Sequence, residues 1–391
     1  MKHLIPNIKK NSVELFAGAG GLALGVEQAG FRHGAVIEFD EWACKTLSRN
    51  RHWPIIHKDA RSFDYRSLPQ PMDFLAGGPP CQPFSFGGKH LAHHDSRNMF
   101  PETIRAVREL SPKAFLFENV SGLHRKTFSN YLEYVILQLR YPDVVSHGNE
   151  EWISHFARLQ QHETFGSRAG LHYNVIYKVI DAADHGIPQR RERLFIVGFR
   201  GDIGAQWSFP SPTHSVEALL WSQFQSGEYW ALHRLPKKTR NMLPPEMAGK
   251  AAKLESPPHL QPWRTIRDAL KGLPDPTQPF RRNQSINGHQ FIDGARTYKG
   301  HTGSLYDLPA KTLKAGVHGV PGGENMLILP SGNVRYFTVR ECARLQCFPD
   351  DFVFEGAWGR VIKQLGNAVP VELATILAGS IFKALQQARK K

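Results

Sequence analysis

The stretch Val13-Glu14-Leu15-Phe16-Ala17-Gly18-Ala19-Gly20-Gly21-Leu22-Ala23-Leu24-Gly25-Val26-Glu27-Gln28-Ala29-Gly30 reads as an apolar strand, a glycine turn and a helix whose end Gly30 marks. Glycines at such a turn let a ligand approach the backbone at the carboxyl end of the strand, which predicts a nucleotide-type site on an open α/β sheet. A second strand over Gly34–Asp40 puts Glu38 and Phe39 where strand becomes loop. A carboxylate there can accept both ribose hydroxyls, and an aromatic ring can cover an adenine face. Asp59, following the apolar pair Ile55 and Ile56, stands at a third strand end and can accept from an adenine amine. Three such residues at consecutive strand ends outline an adenosine pocket. Gly18, Gly20 and Ala23 also satisfy a dinucleotide-binding pattern, with Glu38 at roughly the 20-residue distance of a ribose-binding acid, so a nicotinamide dehydrogenase fits these residues too.

The chain has 391 residues, 41% of them hydrophobic, enough for two domains and a sizeable core. Its four cysteines, Cys44, Cys81, Cys342 and Cys347, show no CxxC spacing and no paired framework, so neither a structural zinc site nor a disulfide scaffold is suggested. Residues Met1–Lys10 lack the apolar core of a secretory signal, and no run approaches the length of a membrane span, so a cytoplasmic protein without membrane contact is expected. A net charge of +14 favours a polyanionic partner.

Further along, Asp73-Phe74-Leu75-Ala76-Gly77-Gly78-Pro79-Pro80-Cys81-Gln82-Pro83-Phe84-Ser85 ends an apolar strand in two glycines and two prolines. These fix the backbone and present a lone thiol, Cys81, on a loop. His93 and His94 have no third ligand at metal-site spacing and read as loop residues. Pro112–Val120 is another apolar strand, ending on Glu118. A carboxyl group buried at that sheet edge would have a raised pKa and could hold or donate a proton. Gln189-Arg190-Arg191-Glu192-Arg193 precedes a further apolar strand, whose period aims Arg191 and Arg193 together at the edge that carries Cys81 and Glu118. From about residue 201 to 334 the strand–helix rhythm stops, and prolines, glycines and tryptophans dominate. Arg281, Arg282, Lys311 and Lys314 lie there, side chains of the kind that contact phosphates and base edges. Arg335–Pro349 reads as a supporting helix opened by a Thr N-cap, and Gln364-Leu365-Gly366-Asn367-Ala368-Val369-Pro370-Val371 leads into a terminal helix, Glu372–Ala388.

The Phe-x-Gly-x-Gly-Gly turn, Pro-Cys-Gln, Glu-Asn-Val, Gln-Arg-Arg-Glu-Arg and Gly-Asn-Ala-Val-Pro stand in one order along nearly the whole chain. In that order they resemble the cytosine-C5 DNA methyltransferases of bacterial restriction-modification systems. The resemblance implies a Rossmann-like, S-adenosylmethionine-dependent α/β sheet over residues 1–200 plus 360–391, and a smaller, loop-rich DNA-recognition domain over 201–359. It implies methyl transfer to C5 of a flipped-out cytosine in a specific duplex sequence, through a covalent bond from Cys81 to C6. Glu118 would hold a proton at N3, Arg193 would orient it and bond O2, and Arg191 would anchor a phosphate. The cofactor, released as S-adenosylhomocysteine, would meet Phe16, Ala17, Gly18, Gly20, Gly21, Glu38, Phe39, Asp59, Ala60, Pro80, Phe100, Asn367 and Ala368. DNA would meet Gln82, Ser85, Lys89, Arg97, Arg281, Arg282, Lys311 and Lys314. No metal is needed, a monomer is expected, and a paired restriction endonuclease would act on the same sequence without stable contact. One branch of the family methylates tRNA, but it lacks a base-reading domain of this size. A DNA-binding regulator with dead chemistry would not need all three catalytic side chains, and a dehydrogenase would need neither Cys81 nor the arginine pair.

Overall fold

Short apolar strands separated by helices build the sheet on which the site stands. The computed structural model describes residues 10–80, 98–166, 170–236, 243–278, 286–299, 302–316 and 325–388. The chain divides into two compact units, one of residues 1–179, 192–210 and 374–391 and one of residues 180–191 and 211–373.

The first unit carries β1 (Lys10–Leu15), α1 (Gly21–Gln28), β2 (Phe31–Glu38), α2 (Glu41–Asn50), β3 (Ile55–His57), β4 (Phe74–Gly77), α3 (Phe100–Leu110), β5 (Ala114–Val120), α4 (Ser129–Arg140) and α5 (Trp152–Phe165). The strands β6 (Tyr173–Asp181) and β7 (Glu192–Arg200) complete a seven-stranded sheet in the order β3-β2-β1-β4-β5-β7-β6. β1 pairs in parallel with β2 and β4, and β7 runs antiparallel to β5. The order reverses direction at β1, and in such sheets the crevice beyond the carboxyl ends at that reversal is where ligands bind. Val13, Leu15, Ile37, Leu75, Phe115, Phe117, Leu194 and Ile196 form one core with Phe100, Ile104 and Val107 of α3 and Leu132, Val135 and Leu139 of α4. This is the continuous apolar patterning expected of strands covered on both faces.

The 141–170 stretch, polar in sequence, belongs to this unit. α5 lays Leu159 and Phe156 against Tyr134, Leu137 and Tyr141. His155, fully buried, bridges Tyr134 Oη (2.8 Å) and the Val144 carbonyl (2.8 Å). Because the carbonyl can only accept, Nε2 carries the proton and Nδ1 accepts from the tyrosine; burial lowers the His155 pKa, in keeping with a neutral ring.

The second unit holds β8 (His214–Ser215), α6 (Val216–Leu220), α7 (Glu228–Leu232), α8 (Pro245–Ala251), β9 (Gln261–Pro262), α9 (Ile266–Leu270), β10 (Ser304–Leu305), β11 (Met326–Ile328), β12 (Val334–Tyr336), α10 (Val339–Leu345) and α11 (Trp358–Asn367). A core of Leu219, Tyr229, Trp230, Leu243 and Trp263 absorbs the tryptophans that broke the sequence rhythm. The helix expected in 335–349 starts at its Thr338 cap, in a capping box with Glu341, and ends at Leu345; ahead of the cap, β12 pairs with β11. The terminal helix α12 (Val371–Ala388) crosses from the second unit into the first. By length and composition the run Trp358–Ala388 could cross a membrane. It breaks at Ala368–Pro370, and Leu377, Ala378, Ile381 and Leu385 of α12 are buried in the protein.

The unit limits differ from the boundaries expected at 200 and 360. Residues 201–210 stay with the sheet, where Trp207 Nε1 donates to Ser380 (3.0 Å). Residues 180–191 and 360–373 join the second unit.

Candidate active site

The turn after β1 is tight because three of its residues take left-handed backbone: Phe16, Gly18 and Gly20, with φ of 56°, 54° and 85°. At Gly20 a Cβ would lie 2.6 Å from Leu47 Cδ2 and 3.2 Å from the Trp53 ring, so both conformation and space demand glycine. The Glu38 carboxylate holds the turn from the side: Gly18 N donates to Oε2 (2.7 Å), and Phe39 N (2.8 Å) and Asp40 N (2.7 Å) donate to Oε1. Asp40 in turn caps α2 by accepting from Trp42 N and Ala43 N. Phe39 is 68% exposed, a free aromatic face beside this carboxylate.

Asp59 and Ala60 follow β3. The Asp59 carboxylate takes a forked pair of bonds from the Arg61 guanidinium, 2.6 Å at closest, and this partner holds its pKa below the usual carboxylate range. Ala60 is buried and its carbonyl accepts from Arg105 Nη2 (2.7 Å). Phe100 packs into the core at the start of α3, edge-on to Tyr131; it is a core side chain here, in place of the cofactor contact the resemblance implied.

Whether the pocket fits an adenosine can be judged from Glu38. An ionised carboxylate offers about four acceptor positions, and backbone N–H groups fill three. One position on Oε2 is open to a ribose hydroxyl, one fewer than the sequence reading allowed. With the Phe39 ring and the glycine turn beside it, the set fits a nucleoside.

Glu118 lies in β5 at the same edge of the sheet, 9% exposed. Arg193, diagonal to it on the antiparallel β7, brings Nε to 2.9 Å from Glu118 Oε1. A Cβ placed on Gly78 would sit 3.6 Å from Glu118 Oε2, so the carboxyl group abuts the chain leaving β4. Asn119 Nδ2 donates to the Pro79 carbonyl (3.1 Å), tying the start of that loop to β5. Pro80 is exposed, and its carbonyl accepts from Met99 N (3.3 Å). Cys81, Gln82, Ser85, Lys89, His93, His94, Arg97, Arg281 and Arg282 lie outside the described residues.

Arg191 departs from expectation. It does not join Arg193: it is 1% exposed and donates to the carbonyls of Leu313 (3.3 Å) and Gly366 (3.0 Å), within the second unit. Gln189 does the same work, donating to the Leu345 carbonyl and accepting from Leu313 N. A guanidinium enclosed by protein carbonyls is not offered to a phosphate, so Arg191 is a strut and the predicted phosphate anchor is corrected. The motif is thus split, with its first half bracing the second unit and Arg193 facing Glu118. Asn367 and Ala368 end α11 in the second unit, Asn367 exposed and Ala368 buried. Lys311 Nζ donates to Thr302 Oγ1 (2.6 Å), and Lys314 exchanges backbone bonds with the Asn325 amide. Among the described residues no cluster of three His, Cys, Asp or Glu could hold a metal ion.

One residue escaped the sequence reading. Glu14, in the middle of β1 and 1% exposed, has both carboxyl oxygens buried without a hydrogen-bond partner among the described residues. Burial pushes its pKa well above the usual range, opposed by the nearby Ala23 N–H and reinforced by Glu38. The only signal was an acid inside an otherwise apolar strand.

A solved structure of the S. pombe Dnmt2 methyltransferase superposes with a TM-score of 0.55 at 16% identity, covering 96% of this chain and 99% of that one, which speaks for the fold. The Type II methyltransferase M.PspPI of Psychrobacter sp. (strain TA137) is 34% identical over 98% of this chain and 82% of its own length. M.Eco47II of Escherichia coli is 32% identical over 97% and 80%. The family model described as C-5 cytosine-specific DNA methylase matches residues 10–142 and 158–383, and with it the chain belongs to the C-5 cytosine-specific DNA methylases.

Proposed function

We propose that the chain methylates C5 of a cytosine rotated out of one short duplex DNA sequence, as the modification enzyme of a restriction-modification system, by a covalent route through Cys81. The observation that carries this is the Glu118–Arg193 ion pair (2.9 Å), set against the Gly78–Pro80 segment whose next residue in the chain is Cys81. The names of the relatives, Type II methyltransferases, support the biological setting.

The residue types follow from the chemistry. Cytosine C5 is a weak nucleophile, and a thiolate adding to C6 turns the ring into an enamine with electron density at C5. In this reading Cys81 Sγ forms the bond to C6, and Glu118 holds a proton at N3 so that charge does not accumulate on the ring. Arg193 fixes the Glu118 carboxyl and offers its remaining N–H groups to O2. S-adenosylmethionine, when bound, would supply the methyl group from its sulfonium and leave as S-adenosylhomocysteine, and the glycine turn, Glu38, Phe39 and Asp59 would hold it. A solvent water takes the C5 proton, and as the C6–S bond breaks the thiolate departs, restoring the C5–C6 double bond and freeing Cys81. The base is sealed inside a duplex, so it must leave the stack first. The sheet unit performs the transfer and the second unit selects the sequence, with the net charge of +14 serving backbone contact. The enzyme works as a soluble cytoplasmic monomer, and a paired endonuclease shares its target without binding it.

The test is transfer of tritiated methyl groups to duplex DNA and to tRNA in parallel, followed by bisulfite sequencing of the DNA. Methylcytosine in one DNA sequence context is expected; label in tRNA alone would overturn the reading.

A further inference from the structure

In the second unit, residues 286–299 form a loop with a fixed root and an outward-facing tip. At the root Gly288 has left-handed backbone (φ +72°), and a Cβ there would press on Val339 at 3.0 Å. Arg340 N donates to the Gly288 carbonyl (2.8 Å) and Arg340 Nε to that of Asn287 (3.1 Å). His289 is completely buried between the Pro274 carbonyl (2.9 Å) and Thr338 Oγ1 (2.8 Å). The carbonyl accepts from Nε2–H, so Nδ1 accepts from the threonine hydroxyl, whose oxygen accepts from Glu341 N (3.2 Å). The root is thereby bolted to the capping box of α10.

Beyond it, Gln290–Lys299 holds no helix or strand, and Gly294 turns the chain with a second left-handed conformation in open space. Two large aromatic side chains point outward there, Phe291 (43% exposed) and Tyr298 (49%). Arg296 is exposed and has no hydrogen-bond or ion-pair partner among the described residues. Four other arginines of this unit are engaged, Arg267 with Asp307, Arg335 with Glu341, Arg344 with Asp350, and Arg340 with three carbonyls, whereas Arg234 and Arg360, outside this loop, are exposed as Arg296 is. A stiffly rooted loop that leaves the Phe291 ring and an unpaired guanidinium on solvent, with Tyr298 half-exposed beside them, is suited to a partner. Guanidinium reads guanine edges in the major groove, and aromatic faces pack on bases, sugars and thymine methyl groups.

We propose that Gln290–Lys299 is a sequence-reading loop for duplex DNA, in which Arg296 hydrogen-bonds a base edge while Phe291 and Tyr298 pack beside it. This rests on the DNA-methylating function proposed above and adds the element that chooses the site. The experiment compares the full-length enzyme with R296A and with the F291A/Y298A double variant. Methyl transfer is measured on the sequence methylated by the wild type and on all its single-base variants, and binding of S-adenosylhomocysteine is measured by calorimetry. R296A is expected to lose roughly 10- to 100-fold in kcat/KM on the target and to lose discrimination at one base position, the size of one bidentate base contact. The double variant is expected to lose rate on DNA, and both are expected to bind the cofactor product as the wild type does. An unchanged preference in R296A overturns the proposal, as does a uniform loss over all sequences with a shallower salt dependence, which marks a phosphate contact. A wild type that methylates no duplex would refute the underlying function instead, and the same assay shows it.

Discussion

Replacing Arg193 by alanine removes the only ion-pair partner of Glu118 among the described residues. At 2.9 Å, with the two side chains 17% and 11% exposed, the gross Coulomb attraction is about 6 kcal/mol for an effective dielectric of about 20. Hydration of the separated groups returns more than half of it, leaving about 2–3 kcal/mol for the ion pair. If that energy positions Glu118 at the reacting ring, kcat/KM for methyl transfer should fall roughly 30- to 150-fold. Affinity for S-adenosylhomocysteine should not change, because the turn, Glu38 and Asp59 belong to β1, β2 and the segment after β3. Arg193→Lys should recover part of the loss, since it restores the charge without the planar fork. The assay is tritiated-methyl transfer to duplex DNA with calorimetry for the cofactor product and thermal unfolding for integrity. A folded Arg193→Ala enzyme with an undiminished rate would refute the assignment of this pair to the active site.

Gly20→Ala places a methyl group against Leu47 and Trp53 in a left-handed conformation; at about 1–2 kcal/mol for the backbone alone, cofactor affinity by calorimetry should fall about tenfold or more. For Glu14, burial raises the folded pKa above the unfolded value, so its contribution is fully present below the unfolded pKa and is lost as pH rises through the folded one. Glu14→Gln should therefore gain stability over the wild type above about pH 5, by up to about 1.4 kcal/mol per pH unit until the folded pKa is reached, and urea titrations that show no pH-dependent gap would contradict it. Glu341→Ala strands Arg335, whose side chain is 4% exposed and paired at 2.6 Å, and removes the carboxylate half of the α10 capping box; a loss of about 3–5 kcal/mol in urea unfolding is expected.

The residues legible in sequence were those whose role depends on local geometry. Gly18, Gly20 and Glu38 announce themselves because a turn at a strand end has few solutions, and Glu118 because an apolar strand ends on an acid. The Thr338 cap was legible for the same reason. Arg191 was not: its partners, Leu313 and Gly366, lie over a hundred residues away, and strand alternation knows nothing of them. The strand β12 just ahead of that cap was not legible either, because it exists by pairing with β11. α5 escaped because its buried face is narrow, Phe156 and Leu159 amid polar residues. Root and tip of the 286–299 loop look alike in sequence; only the burial of His289 against the exposure of Phe291 separates them.

The covalent step can be observed directly by incubating the enzyme and S-adenosylmethionine with a duplex that carries 5-fluorocytosine at the target position. Fluorine cannot leave as a proton does, so a thiol adduct at C6 persists after methyl transfer. The account predicts a denaturation-stable enzyme–DNA complex by mass spectrometry, with the modified peptide containing Cys81, and no such complex for Cys81→Ser. Methyl transfer to ordinary cytosine by Cys81→Ser at the wild-type rate, or an adduct on another residue, would contradict it.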